Sequence, residues 1–218
     1  MESKYEEIVK EIKRITRPFR HKVYWGTVNT VDQFKAALGY DFGQWVRTVM
    51  YEELFQWMEE IEPSKLDALE ISSGNTWQRF PFKSFTETHY PEFNICEECL
   101  DRKFDLIIAD QVFEHLLWPY RAGKNVYEML NPGGYFIITT PFLIRVHEAP
   151  VDYTRWTETG LKYFLAECGF PLDKIRTGSW GNRNCVKVNL NKWVDRGWFR
   201  PMHKEADYPV SVWALAQK

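Results

Sequence analysis

The chain has 218 residues and a formal net charge of −2; 44% of it is apolar and 17% aromatic, with ten tryptophans. That length suits one domain with a sizeable core and an appended segment, and the near-neutral charge leaves no basic footprint for nucleic acid. No apolar run reaches the roughly 18 residues of a membrane span, the charged start MESKYEEIVKEIKR is not a signal peptide, and the four cysteines make no disulfide scaffold, so the expected setting is reducing and cytoplasmic.

Tyr5, Ile8, Ile12 and Ile15 recur at helical spacing, which predicts an amphipathic helix over 3–16, ended at Arg17-Pro18. The basic residues Lys13, Arg14, Arg17, Arg20, His21 and Lys22 read as its solvated face and exit. Val46, Met50, Leu54, Trp57 and Ile61 mark a second helix that stops near Pro63. Residues 1–60 are therefore expected as a helical cap or lid segment, ahead of a core over 61–218. In that core, strands are predicted at 66–72, 84–90, 104–110 and 135–141, the third being the apolar run FDLIIAD. A helix beginning near Pro119 closes at VYEML, and NPGG at 131–134 forms a turn. Thr157 caps a helix carrying Leu161, Phe164, Leu165 and Cys168 on one face, ended by Gly169. Two last strands, 173–180 and 210–217, flank a short helix marked by Val186, Leu190, Trp193 and Val194. Strands alternating with helices predict a doubly wound α/β sheet, whose ligands bind at the carboxyl ends of the strands.

Those ends carry the polar residues. The first strand delivers Glu70, then Ser72, Ser73, Gly74, Asn75 and Thr76; FDLIIAD delivers Asp110 and Gln111. Glu70 either organises a ligand loop or simply satisfies the turn's backbone donors. A dinucleotide is disfavoured, because only residues 73–83 separate the first two strands and no helix of several turns fits there to hold a pyrophosphate. A cationic cofactor without phosphates suits this turn better. It needs one close backbone approach, at Gly74, and acids nearby.

Three segments, LDALEISSGNTW, FDLIIADQVFEHLLWP and MLNPGGYFIITTP, make residues 64–218 resemble the class I S-adenosylmethionine-dependent methyltransferases, in particular the small-molecule type often called type 11. HEAPVDYTRWTETGL resembles a loop and helix seen in that group after the fifth strand. The resemblance implies a Rossmann-like sheet of seven strands, mostly parallel with an antiparallel last strand. It implies S-adenosyl-L-methionine as cofactor and a small-molecule acceptor such as a sugar, a lipid-linked group or a secondary metabolite. The alternative is a non-catalytic binding protein of the same fold, and a nicotinamide oxidoreductase is a more distant third. Carried over residue by residue, the cofactor turn falls on Glu70, Ser72, Ser73 and Gly74, and the adenine contact on Asn94 and Ile95. The methionine end falls on Asp110, Gln111 and Val112. Ser72 and Thr76 replace family glycines. The ribose-holding acid has no clear counterpart: its position falls on Thr88 or His89, with Glu87 and Glu92 nearby, and Tyr90 is able to stack on adenine. His147 is the candidate base; Tyr153 and Arg155, with Tyr24 and Trp25 from the N-terminal segment, are candidate acceptor contacts. His115 reads as structural. Cys96-x-x-Cys99 has zinc spacing but no second pair, so no metal is expected.

Overall fold

The computed structural model describes residues 32–148 and 150–218; the expected helix over 3–16 and Tyr24 and Trp25 lie outside them. The chain divides into two compact units, residues 1–43 with 195–200, and residues 44–194 with 201–218. In the described part of the smaller unit, residues 32–37 are helical. Strand Asp41–Gln44 pairs there with Asp195–Gly197. Tyr40 packs edge-on against Trp198, whose indole N–H donates to the Leu38 carbonyl at 3.0 Å.

The larger unit is built on six strands: β1 (Asp67–Ile71), β2 (Ser84–Thr88), β3 (Phe104–Asp110), β4 (Leu130–Pro141), β5 (Ile175–Trp180) and β6 (Ser211–Gln217). Their spatial order is β2-β1-β3-β4-β6-β5. The pairs β1–β2, β1–β3 and β3–β4 are parallel, whereas β6 runs antiparallel to both β4 and β5. This is the expected mostly parallel, doubly wound sheet. It has six strands where the resemblance implied seven. Residues 89–103, between β2 and β3, form turns, with Phe93, Ile95 and Cys96 buried against the core. A crossover needs a dozen or more residues for its helix before a new parallel strand can begin, and that segment is too short for both.

The central strands β1, β3, β4 and β6 are largely apolar because both their faces are covered, whereas the edge strands β2 and β5 are not. Leu69, Ile107, Ala109, Phe136 and Ile138 face one core cluster, shared with helices α2 (Pro119–Met129) and α3 (Glu158–Glu167). The other face carries Ala68, Leu106, Ile108, Ile137, Trp213 and Leu215. That face meets α1 (Thr48–Glu60), through Met50, Leu54, Trp57 and Met58, and α4 (Arg183–Asn189), through Cys185. Helix α1 thus belongs to the sheet's core, and the larger unit begins ahead of the expected boundary at residue 61.

Local signals explain the element ends. The Thr157 hydroxyl accepts the Gly160 N–H at 3.0 Å and starts α3; Asn182 does the same for Cys185 at 2.8 Å and starts α4. The NPGG turn is an excursion within β4. Pairing with β3 jumps from Leu130 to Tyr135, and Gly133, at φ +80°, turns its N–H to the Lys218 carbonyl. The structure sets β1 and β3 side by side, with Ile71 in register with Ala109.

Candidate active site

The turn after β1 is organised from below by Glu70, which is 1% exposed. Its carboxylate accepts the Gly74 N–H at 3.2 Å and the Ser73 hydroxyl at 3.1 Å. Burial pushes its pKa up, against those two hydrogen bonds, which pull it down. Ser72 and Asn75 take left-handed backbone angles, φ +57° and +67°. Ser72 replaces a family glycine, yet the backbone keeps the conformation that glycine adopts most easily. The Ser72 N–H donates to the Thr88 carbonyl at 2.8 Å, which ties the turn to the end of β2. A side chain at Gly74 would meet no protein atom within 4 Å, so the loop presents open backbone there. In place of a crossover helix, a single turn, Trp77–Arg79, leads back to β2.

Glu87 pairs in register with Glu70. Its carboxylate accepts the Ser73 hydroxyl and, at 2.8 Å, the Gln78 amide, and these bonds hold its pKa down. Thr88, the position expected for the ribose contact, has a buried hydroxyl without a hydrogen-bond partner.

Asp110 ends β3 but serves the interior. One oxygen accepts the Tyr51 hydroxyl at 2.8 Å and the Trp77 indole N–H at 3.1 Å; the other accepts the Thr139 hydroxyl at 2.6 Å. Desolvation, and then the Asp110 charge, push the Tyr51 phenol well above its usual range. Gln111 follows at φ +59°, held because its backbone and side-chain N–H groups both reach Thr139 Oγ1 at 3.0 Å. Thr139 was missed by sequence reasoning. Its signal was a threonine pair inside the apolar run YFIITTP.

A cavity of about 550 Å³ opens at these strand ends. Ser72 from the β1 turn and Gln111 and Val112 from the β3 turn line it, with Asn94, Cys96 and Glu97. Tyr90, His115, Leu116, Leu117, Trp118, Pro150, Val151 and Tyr153 complete it. Tyr90, Leu117, Trp118 and Tyr153 are large and exposed, which gives the cavity an apolar rim. Asn94 Oδ1 accepts the Cys96 N–H at 3.1 Å and keeps a second lone pair.

Of the predicted site residues, the fold brings Ser72, Asn94, Gln111, Val112 and Tyr153 into one lining. Glu70, Ser73, Gly74, Thr88, Ile95 and Asp110 are not part of it. Ile95 is buried in the core, and its carbonyl accepts the Asn125 amide at 2.7 Å. Arg155 pairs with Asp152, which also accepts the His147 backbone N–H at 3.0 Å. That pairing commits both side chains to the loop. His147 packs edge-on against His115, ring centroids 4.9 Å apart. Burial, and then the neighbouring His115, lower its pKa and favour the neutral ring.

A family model described as a methyltransferase domain matches residues 31–169. The chain belongs to this methyltransferase family. No curated protein matches it by sequence. Among solved structures, it is similar to an S-adenosylmethionine-dependent methyltransferase from Mesorhizobium loti, at 13% identity and a TM-score of 0.50, over 75% of this chain and 97% of that one. It is also similar to phosphoethanolamine N-methyltransferase 2 of Haemonchus contortus, solved with S-adenosyl-L-methionine, at 13% identity and a TM-score of 0.51; there it covers 77% of this chain and 52% of that one. These likenesses show the fold.

The cofactor of this methyltransferase is S-adenosyl-L-methionine, and its residues suit that molecule. The donor has no phosphate, so the missing crossover helix removes nothing it needs. It is cationic at the sulfonium, and the turn carries two carboxylates, Glu70 and Glu87, both in contact with the Ser73 hydroxyl beside Gly74. Among the described residues, no helix is long and apolar enough to cross a membrane.

Proposed function

We propose that the protein transfers the methyl group to a small-molecule acceptor, such as a sugar, a lipid-linked group or a secondary metabolite. The observation that carries this reading is the cavity at the carboxyl ends of β1 and β3, with its polar floor and exposed aromatic rim. S-adenosyl-L-methionine supplies a methyl carbon already activated by a sulfonium, so the protein's main work is alignment.

In this reading Glu70 shapes the turn, and Gly74 offers the close approach. Glu87 takes the ribose hydroxyls, one residue before the expected Thr88, because its carboxylate already reaches the loop. Asn94 receives the adenine amine on its remaining lone pair, and the exposed Tyr90 ring covers the base. Gln111 and Val112 border the methionine end. Tyr153 and Trp118, half-exposed at the rim, face the acceptor.

Calorimetry with S-adenosyl-L-methionine and S-adenosylhomocysteine tests the cofactor half of the reading. Dissociation constants in the micromolar range are expected, and absence of binding by either at millimolar concentration would sink it. The acceptor half is tested by incubating sugar, lipid-linked and phenolic pools with the protein and donor. A new species heavier by one methylene unit is expected; transfer only to protein or nucleic acid would refute a small-molecule acceptor.

A further inference from the structure

Three groups with no part in cofactor binding converge beside the cavity. Glu114 has a fully buried side chain, and neither carboxylate oxygen meets a hydrogen-bond donor. Such a group carries the full cost of desolvation unless something neutralises it. His115 Nε2 stands 3.6 Å from Glu114 Oε1. On the other side of the ring, His115 Nδ1 lies 2.6 Å from the carbonyl oxygen of Val151. A carbonyl only accepts, so Nδ1 carries the hydrogen, and in the neutral ring Nε2 is left with a bare lone pair. Lone pairs then face one another across that gap. His147 completes the group: one ligand atom from each of the three residues lies within 4.8 Å of the others.

We propose that Glu114, His115 and His147 form a binding site for a first-row divalent transition cation in the wall of the cavity. Two imidazole nitrogens and one carboxylate oxygen are a donor set for zinc, cobalt or manganese, with positions left open. Ligands about 2.1 Å from such an ion stand roughly 3–3.4 Å apart, so the Glu114–His115 pair is close to spacing already and a small shift of His147 closes the set. The Val151 carbonyl on Nδ1 is the orienting bond that metal-binding histidines use to fix their tautomer. Backbone bonds hold the ligand turn in place, since the Tyr153 N–H donates to the Glu114 carbonyl at 2.7 Å. A proton on Glu114 is the competing way to neutralise it, and a cation has to displace that proton to bind. The positive charges of Arg47 and Arg155 weaken a cation at Glu114, while Asp110 and, at His147, Asp152 favour it.

His115 also lines the cavity, so the open positions face it. Given the methyltransferase reading, on which this use of the ion rests, they take oxygen atoms of the acceptor. The cation site itself stands without that reading.

The test uses the full, untagged chain, stripped with a chelator and dialysed. It is titrated with Co²⁺, followed by visible absorption, and with Zn²⁺, followed by calorimetry. One ion per chain at micromolar affinity or tighter is expected, weakened at least about 10-fold in His147→Ala and in Glu114→Gln. His147→Ala carries the test if the buried Glu114 variant fails to fold, as judged by its melting curve without metal. No saturable binding by the parent protein, or unchanged binding in a folded His147→Ala, overturns the site. S-adenosyl-L-methionine calorimetry on the same samples keeps the two readings apart. Donor binding without cation binding overturns the site alone, and cation binding without donor binding supports the site while overturning the cofactor reading.

Discussion

The turns after β1 and β3 look alike in sequence, each reached through an acid at or near a strand end. Their structures also share a non-glycine residue in the left-handed region, Ser72 at φ +57° and Gln111 at φ +59°. The two acids nevertheless do opposite work. Glu70 turns its oxygens toward its own loop, where Gly74 N–H and Ser73 Oγ wait. Asp110 turns toward the core, where Tyr51, Trp77 and Thr139 occupy it. An acid at a strand end thus organises its own turn in one case and is a core acceptor in the other. The donors within reach decide which.

That contrast can be broken by mutation. The largest effect is expected from Gly74→Val. A branched side chain fills the open approach that the donor needs, and its Cβ meets no protein atom within 4 Å beyond its chain neighbours. Donor affinity should fall by more than about 100-fold, roughly 2.8 kcal/mol, with the melting temperature nearly unchanged. Normal binding by this variant would mean that the turn after β1 is not the cofactor loop. Asp110→Asn should show the reverse pattern. An amide cannot accept all three hydrogen bonds, so about 2–3 kcal/mol of stability is lost, read as a drop of about 4–12 °C in melting temperature, with a smaller change in donor affinity. A variant as stable as the parent would put Asp110 back among the ligand contacts.

Glu87→Gln sharpens the assignment of the ribose contact. Loss of one charged hydrogen bond should weaken donor binding about 10- to 100-fold, while Thr88→Ala leaves it within about 2-fold. Equal effects of the two changes would argue against the placement. The smallest effect is expected from Ser72→Gly. Relief of the left-handed strain is partly offset by the added freedom of the unfolded chain, leaving a gain of up to about 1 kcal/mol in chemical denaturation. A loss of stability would show that the Ser72 side chain contributes more than its backbone costs.

Much of the architecture was legible because it rests on local signals. FDLIIAD and YFIITTP carry near-continuous apolar runs, as a strand buried on both faces requires, and both are strands of the sheet centre. Thr157 announced α3 through its capping hydroxyl. The N-terminal boundary was not legible, since α1 is amphipathic either as a separate cap or as a sheet-covering helix; only its burial against Ala68, Leu106 and Ile108 distinguishes them. The site was legible in part for a similar reason. Ser72 and Gln111 follow from strand ends, which the chain order predicts, whereas Asn94 and Val112 follow from the family resemblance. Glu87 was named only as a neighbour of the expected ribose position, which chain position put on Thr88 or His89, and Tyr51 and Trp77 escaped because they reach Asp110 from α1 and from the turn that replaces a helix.

By itself, then, the order of residues determined the alternating α/β plan and a turn fit for a phosphate-free cofactor, because these depend on hydrophobic period, capping and loop length. Tertiary structure alone decided which acid serves its own turn and which serves the core. It alone brought Glu114 and His115 within reach of His147, from the segment after β3 and the loop after β4. Neighbours in the chain constrain backbone conformation, but the partner of a buried charge is chosen by which distant segments the closed sheet sets side by side.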